Sequence, residues 1–176
     1  MADLENEDIT QVIDEWSLLV GQSILHFCDI ERITFVILEK LPSEPIDASA
    51  INLRFAQRVE LILSILSHKD IPSEIAEKMS ALLTHAQKLS ETRNLIVHNP
   101  LYLTGYIDEK GKLQPLIYKK TGKQKSINYE DLEKVTMSIE KLTGELYEAW
   151  SECSDYIETR RKLTTVSTPT PRGGFS

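Results

Sequence analysis

The sequence predicts a mainly α-helical protein: an antiparallel bundle of four to five long helices with a small β-hairpin insertion. Three observations carry this prediction. Apolar residues recur at helical spacing, two segments show heptad seams, and the period changes to an alternating one after Pro100. The chain has 176 residues, 41% of them hydrophobic and 27% charged, which suits one domain with a buried core. We therefore expect a single helical domain over residues 1–161 and a flexible tail over 162–176.

Residues 8–41 are predicted to form one long helix, or two helices with a bend near Gly21. Residues 34–38 are apolar nearly all round, which indicates burial on several sides or in an oligomer interface. Pro42 ends this helix. A second helix is predicted from about Asp47 to Ser67, with arginines 54 and 58 on faces other than its apolar stripe.

The third helix carries a heptad seam that an arginine interrupts. Ser73 is predicted to cap it, and Glu74 favours its positive N-terminal end. Seam positions alternate by four and three, which is typical of helices packed in a bundle. They are Ile75, Met79, Leu82, Ala86, Leu89, position 93 and Ile96. Position 93 should be apolar by this pattern, but it is Arg93.

After Pro100 the alternating pattern predicts a β-hairpin within an insertion of about residues 101–128. Its strands would be residues 101–107 and 113–118, and a further short strand would lie near Ser126. The last helix is predicted to begin near Tyr129, with Asn128 as its cap. It has a second heptad seam, formed by Leu132, Val135, Ile139, Leu142, Leu146, Ala149, Cys153 and Tyr156.

Composition narrows the classes of function. The net charge of −7 argues against a protein that coats nucleic acid, although it allows a local basic pocket for one phosphate. We find no phosphate loop, dinucleotide fingerprint, CxxC, HExxH or GxSxG motif, so no cofactor and no metal site are expected. The chain contains no apolar run of about 18 residues, its N-terminal segment is acidic, and its two cysteines lie among apolar residues. We therefore expect a cytoplasmic protein without membrane contact.

Arg93 and His98 are the candidate functional residues, because both break the pattern of a packing helix. A guanidinium keeps its charge, so on an apolar seam it needs a carboxylate, carbonyls, water or an anion as partner, and its planar donors match a phosphate. Asn94 follows directly. His98, four residues beyond Asn94 on the same face, has the side chain best suited to moving protons near neutral pH. The histidines at positions 26, 68 and 85 are interpreted as structural.

The spacing of Arg93 and His98 favours a site shared between two subunits. The two side chains lie about 140° apart around an ideal helix, so they do not converge as simple neighbours on one helix, although long side chains and a distorted terminal turn would bring them closer. A two-fold dimer can bring two such helices to one groove. The alternative explanation is a salt bridge from Arg93 to a glutamate on a neighbouring helix, with His98 as a C-terminal helix cation.

The segment Arg93-Asn94-x-x-x-His98 at the end of a long helix resembles the motif of HEPN domains (higher eukaryotes and prokaryotes nucleotide-binding). In that motif an arginine, usually followed by a polar residue, precedes a histidine by four to six intervening positions. The resemblance covers about residues 8–160. It implies a metal-independent endoribonuclease that acts as a homodimer on RNA, often in toxin or phage-defence systems, where an antitoxin or another protein is the partner. One departure is Pro100, which stands where the small toxin subgroup often has a tyrosine.

The resemblance also implies roles for individual residues. His98 would act as general base or acid at the attacking 2′-hydroxyl, Arg93 would hold the scissile phosphate, and Asn94 would orient the phosphate or the imidazole. The products would be a 2′,3′-cyclic phosphate and a 5′-hydroxyl. We add five substrate-binding candidates near the motif or in the basic segment of the insertion: Glu91, Asn99, Tyr102, Lys119 and Lys120.

Two other functions remain open at this point. The acidic charge and the two seams also suit a non-catalytic helical module that dimerises or binds a partner through its apolar first helix. Alternatively, the groove around the arginine and the histidine would bind a nucleotide without cleaving it.

Overall fold

The computed structural model describes residues 6–42, 52–99, 101–102, 115–118 and 126–166. In this part of the chain, four helices and three short strands follow one another. They are α1 (Asn6–Lys40), α2 (Phe55–His68), α3 (Ser73–His98), β1 (Leu101–Tyr102), β2 (Leu116–Tyr118), β3 (Ser126–Ile127) and α4 (Tyr129–Val166). The prediction of a mainly-α bundle with a small β-hairpin is confirmed.

The two longest helices, α1 and α4, pack side by side in the same direction. Three contacts show this. The hydroxyls of Ser23 and Thr136 hydrogen-bond at 2.6 Å, Thr143 donates to the carbonyl of His26, and Arg161 donates to the carbonyl of Lys40. The partners are 113, 117 and 121 positions apart in sequence, and this nearly constant offset means that the helices are parallel.

Helix α3 runs in the opposite direction to α4. Lys78 near its start pairs with Glu152 late in α4 at 3.0 Å, whereas Ile96 near its end packs with Leu132 at the start of α4. Helix α2 precedes α3 across a short connection, residues 69–72, and follows the direction of α1. The C-terminal end of α3 therefore lies beside the N-terminal ends of α1 and α4.

Two groups of buried side chains hold these elements together. The larger one joins all four helices and includes Ile37, Ile62, Leu83 and Leu146, each of which is fully buried. The smaller one lies at the end of the bundle where α3 finishes and contains Trp16, Ile96, Ile117, Ile127 and Leu132. The strands form an antiparallel sheet in the order β1-β2-β3, and Ile117 is paired with both Leu101 and Ile127. The buried isoleucines thus anchor the sheet next to the end of α3.

Several helix ends differ from their prediction. Residues 52–54 are not part of α2, which begins at Phe55 rather than near Asp47; residue 47 itself lies outside the described residues. Ser73 is the first residue of α3 and not its cap, because Pro72 precedes the helix and no side chain caps it. The cap of α4 is confirmed, since the Asp131 amide donates to Asn128 Oδ1 at 2.8 Å.

The predicted start of the tail at residue 162 is wrong, because α4 continues to Val166. Its last part is tied to the end of α1 and to the α2–α3 connection. Arg161 donates to the carbonyls of Lys40 and Pro42 at 3.2 Å, and Arg160 pairs with Asp70. Residues 167–176 and the predicted turns at 108–112 and 121–125 lie outside the described residues.

Burial on α3 follows the predicted seam with a small rotation. Met79, Ala86 and Ile96 are buried as expected, but Leu83 and Ser90 are buried where Leu82 and Leu89 were predicted. Those two leucines pack against the core while partly exposed. Arg93 therefore lies at the edge of the buried face, next to α1.

Candidate functional site

Arg93 is held against α1 by a carboxylate and an aromatic ring. Its Nη2 donates to Glu31 Oε1, and its guanidinium carbon lies 4.7 Å from the centroid of the Phe27 ring. The side chains of Arg93 and Glu31 remain 21% and 31% exposed. The arginine on the apolar seam thus has a glutamate on a neighbouring helix as its partner, as the salt-bridge explanation expected.

A second arginine, Arg58 on α2, lies beside the same glutamate. It is only 5% exposed, donates from Nε to Thr34 Oγ1 at 3.1 Å, and donates from Nη1 to the carbonyl of Leu53 at 2.7 Å. Its guanidinium carbon lies 3.9 Å from the centroid of the Phe35 ring. Burial lowers the pKa of Arg58, and the charge of Glu31 opposes this by raising it.

Phe27, Glu31, Arg58 and Arg93 together form what we call the Glu31 cluster. It contains two guanidinium groups and one carboxylate, so its formal charge is positive although the whole chain is acidic. The rings of Phe27 and Phe55 meet edge to face at 5.2 Å beneath it. The side of the cluster that reaches solvent presents both the Arg93 guanidinium and the Glu31 carboxylate.

The sequence interpretation missed Arg58, which it placed away from the apolar stripe of the second helix. The signal that would have found it is spacing. Arg58 follows Phe55 by three positions and precedes Ile62 by four, so all three share one face of α2. The argument that singled out Arg93 on α3 applies equally to this position.

The structure does not bring Arg93 and His98 together within one chain. His98 is the last residue of α3 and is exposed, as are Asn94 and Glu91 on the preceding turns. These three side chains face outward, whereas Arg93 points to α1. The separation expected from helical geometry is therefore present.

The remaining substrate-binding candidates are scattered. Asn99 donates from Nδ2 to the carbonyl of Leu95 at 2.8 Å and so helps to end α3. Tyr102 lies in β1, where its backbone is in register with Leu116. Lys119 and Lys120 lie outside the described residues.

Within the described ranges, no three His, Cys, Asp or Glu side chains come together in a group that would hold a metal ion. Likewise, no helix of the described residues is long and apolar enough to cross a membrane.

Comparison of the chain with protein-family models, with curated proteins and with solved structures found no match. The proposals below therefore depend on the residues and contacts of this chain.

Proposed function

We propose that this chain is a HEPN-type, metal-independent endoribonuclease that acts as a homodimer in a toxin or phage-defence setting. The observation that carries the proposal is the arrangement at the end of α3. Arg93 belongs to a cluster of positive formal charge, while Asn94 and His98 are exposed on the outer face of the same helix. A phosphate binder and a proton carrier are thus close in sequence but point to different sides, as a site shared by two subunits requires.

The proposed reaction needs only these side chains. His98 removes the proton from the 2′-hydroxyl, the 2′-oxygen bonds to phosphorus, and the bond from phosphorus to the 5′-oxygen breaks. A water molecule returns a proton to the leaving 5′-oxygen. Arg93 stabilises the negative charge that develops on the phosphoryl oxygens.

Arg93 is suited to this role despite its partner. A guanidinium carries five N–H donors, and the bond to Glu31 uses the terminal Nη2. Because the side chain is 21% exposed, a phosphate would reach it without opening the bundle. Glu31 and Phe27 would hold the guanidinium plane in place while it binds the phosphate.

A second candidate is a non-catalytic helical module that dimerises or binds a partner protein. The Arg93–Glu31 pair favours it, because this pair gives Arg93 a structural partner inside the chain. Exposed apolar side chains on α1, Leu18 and Leu25, favour it as well. On this proposal Arg93 stabilises the bundle, and no RNA is cleaved.

The two candidates are separated by a pair of histidine variants on one helix. His98→Ala should lower RNA cleavage about 100-fold or more, as expected for the loss of a general acid or base. His85→Ala, an exposed histidine on α3, is the matched control and should retain wild-type activity. The assay follows cleavage of a mixed RNA pool in the presence of EDTA and identifies 2′,3′-cyclic phosphate ends. Equal activity of His98→Ala and wild type, or no cleavage by wild type, would refute the ribonuclease.

A further inference from the structure

The exposed side of α1 carries a row of residues, which we call the outer stripe; near its C-terminal end Arg32 and Phe35 also contact Tyr147 on α4 and Arg58 on α2. The stripe alternates by three and four positions: Gln11, Asp14, Leu18, Gly21, Leu25, Cys28, Arg32 and Phe35. Leu18, Leu25 and Phe35 are 61%, 69% and 37% exposed, and the space around a Cβ at Gly21 is open. On the opposite side of α1, Ser23 is fully buried and bonds to Thr136 on α4.

The stripe has the spacing of a coiled-coil seam and is symmetrical about position 23. If a second α1 packs on it in the opposite direction with Ser23 at the centre, every stripe residue faces another stripe residue. Leu18 faces Cys28, and Gly21 faces Leu25, so that each leucine has a small partner. We propose that the outer stripe binds a second copy of this chain in this antiparallel, two-fold arrangement.

Charge decides the direction of the pair. In the antiparallel arrangement Asp14 of each copy faces Arg32 of the other, which gives two attractive pairs. A parallel pair in register would place Asp14 against Asp14 and Arg32 against Arg32. Within one copy, the Arg32 guanidinium already contacts Asp29 of its own helix and the hydroxyl of Tyr147 on α4, so Asp14 of the second copy would add a further carboxylate beside it.

This interface would place the two halves of the site described above at the same level along the paired helices, and that part of the inference depends on the proposed function. Arg93 packs on the second half of α1, at Phe27 and Glu31, whereas the end of α3 packs on the first half, near Trp16. An antiparallel pair places the second half of one α1 beside the first half of the other. Its two-fold axis is perpendicular to both helices, so the two α3 helices lie on the same side of the pair. Arg93 of one copy then lies level with the end of α3, and hence His98, of its partner.

A disulfide cross-link tests the register directly. Leu18→Cys places a thiol opposite the native Cys28 of the other copy, at a separation that facing positions of packed helices provide. Under mild oxidation, most of this variant should become a covalent dimer on a non-reducing gel. The cross-link should disappear in Leu18→Cys/Cys28→Ser. Ala81→Cys, an exposed position on α3, is the control and should remain mostly monomeric on the gel.

Two further variants test the energetics by analytical ultracentrifugation. Leu25→Asp should raise the dimer dissociation constant about 100-fold or more, because the change occurs twice in a two-fold interface. Asp14→Arg should weaken the dimer, and the exchange Asp14→Arg/Arg32→Asp should restore it.

The outcomes separate the interface from the activity. A dimer that Leu25→Asp does not weaken overturns the interface, whether or not RNA is cleaved. A protein that is monomeric at all concentrations also overturns it. If the thiol of Leu18→Cys in that monomer is protected from maleimide, another segment of the same chain covers the outer stripe. A dimer with all the expected cross-links but without RNA cleavage supports the interface and refutes the ribonuclease.

Discussion

Replacing Glu31 should destabilise the bundle without removing any apolar contact. Glu31→Gln keeps the shape of the side chain but removes the negative charge that pairs with Arg93 and also acts on Arg58. We expect the variant to be less stable than wild type, because Arg93 loses its carboxylate partner in a partly buried site. The buried Arg58 keeps its bonds to Thr34 and Leu53 but loses the attraction of the nearby carboxylate.

The size of the effect follows from the exposure of the partners. A hydrogen bond between charged groups contributes about 1.5–3 kcal/mol, and the 31% exposure of Glu31 argues for the lower half of that range. We therefore expect the free energy of unfolding to fall by about 2 kcal/mol. For a chain of this length this corresponds to a melting temperature lower by about 4–8 °C.

Thermal and urea unfolding followed by circular dichroism would measure this difference, with Lys141→Gln as the control. Lys141 pairs with Glu145 at 3.6 Å on the exposed side of α4, so its replacement should change stability by less than about 0.5 kcal/mol. A double-mutant cycle of Glu31→Gln with Arg93→Met should give a coupling of about 1 kcal/mol. A change within about 0.5 kcal/mol for Glu31→Gln would refute the reasoning.

Three other predictions concern stability and thiol chemistry. Asn128→Ala removes the cap of α4 and should cost about 1 kcal/mol in thermal unfolding, whereas Asn128→Asp should cost little. Ser23→Ala should lower the free energy of unfolding by roughly 1 kcal/mol, and Thr136→Val should lower it more. Thr136 also donates to its own helix, and valine would leave the buried Ser23 hydroxyl without its partner. Equal losses of stability in the two variants would contradict this prediction. Burial raises the pKa of the Cys153 thiol, so little of its reactive thiolate forms at pH 8. A thiol reagent should therefore modify only the exposed Cys28 until denaturant is added. Because Cys28 lies in the proposed dimer interface, its modification should be faster after the protein is diluted. Rapid modification of both thiols in the native protein would contradict this prediction.

The helices could be predicted because their signals are local. Apolar spacing within one helix determines which side is buried, and this identified α1, α3 and most of the seam of α4. The cap at Asn128 is equally local, since its side chain bonds to the amide of Asp131 three residues later. The end of α4 was missed because it depends on distant groups: Arg161 is held by carbonyls at the end of α1.

The candidate site could be predicted only in part, for a related reason. A charged residue on an apolar seam shows that a partner is needed, and this singled out Arg93. It does not show which glutamate is the partner, because that depends on how α1 crosses α3 and on the parallel packing of α1 with α4. Spacing within α2 places Arg58 on the buried face, but it does not specify the tertiary contacts with Thr34 and Phe35 that bring Arg58 into the cluster.

Arg93 has a structural partner in this chain and a catalytic role in our proposal, and Arg93→Lys separates the two. Lysine keeps the positive charge opposite Glu31 but loses the planar fork that binds two phosphoryl oxygens at once. The variant should therefore unfold within about 1 kcal/mol of wild type, whereas RNA cleavage should fall at least about 100-fold, as after loss of one transition-state donor. Arg93→Met, which loses the charge as well, should lower both stability and cleavage. If Arg93→Lys cleaves RNA as fast as wild type, Arg93 serves only to pair with Glu31, and its catalytic role is refuted.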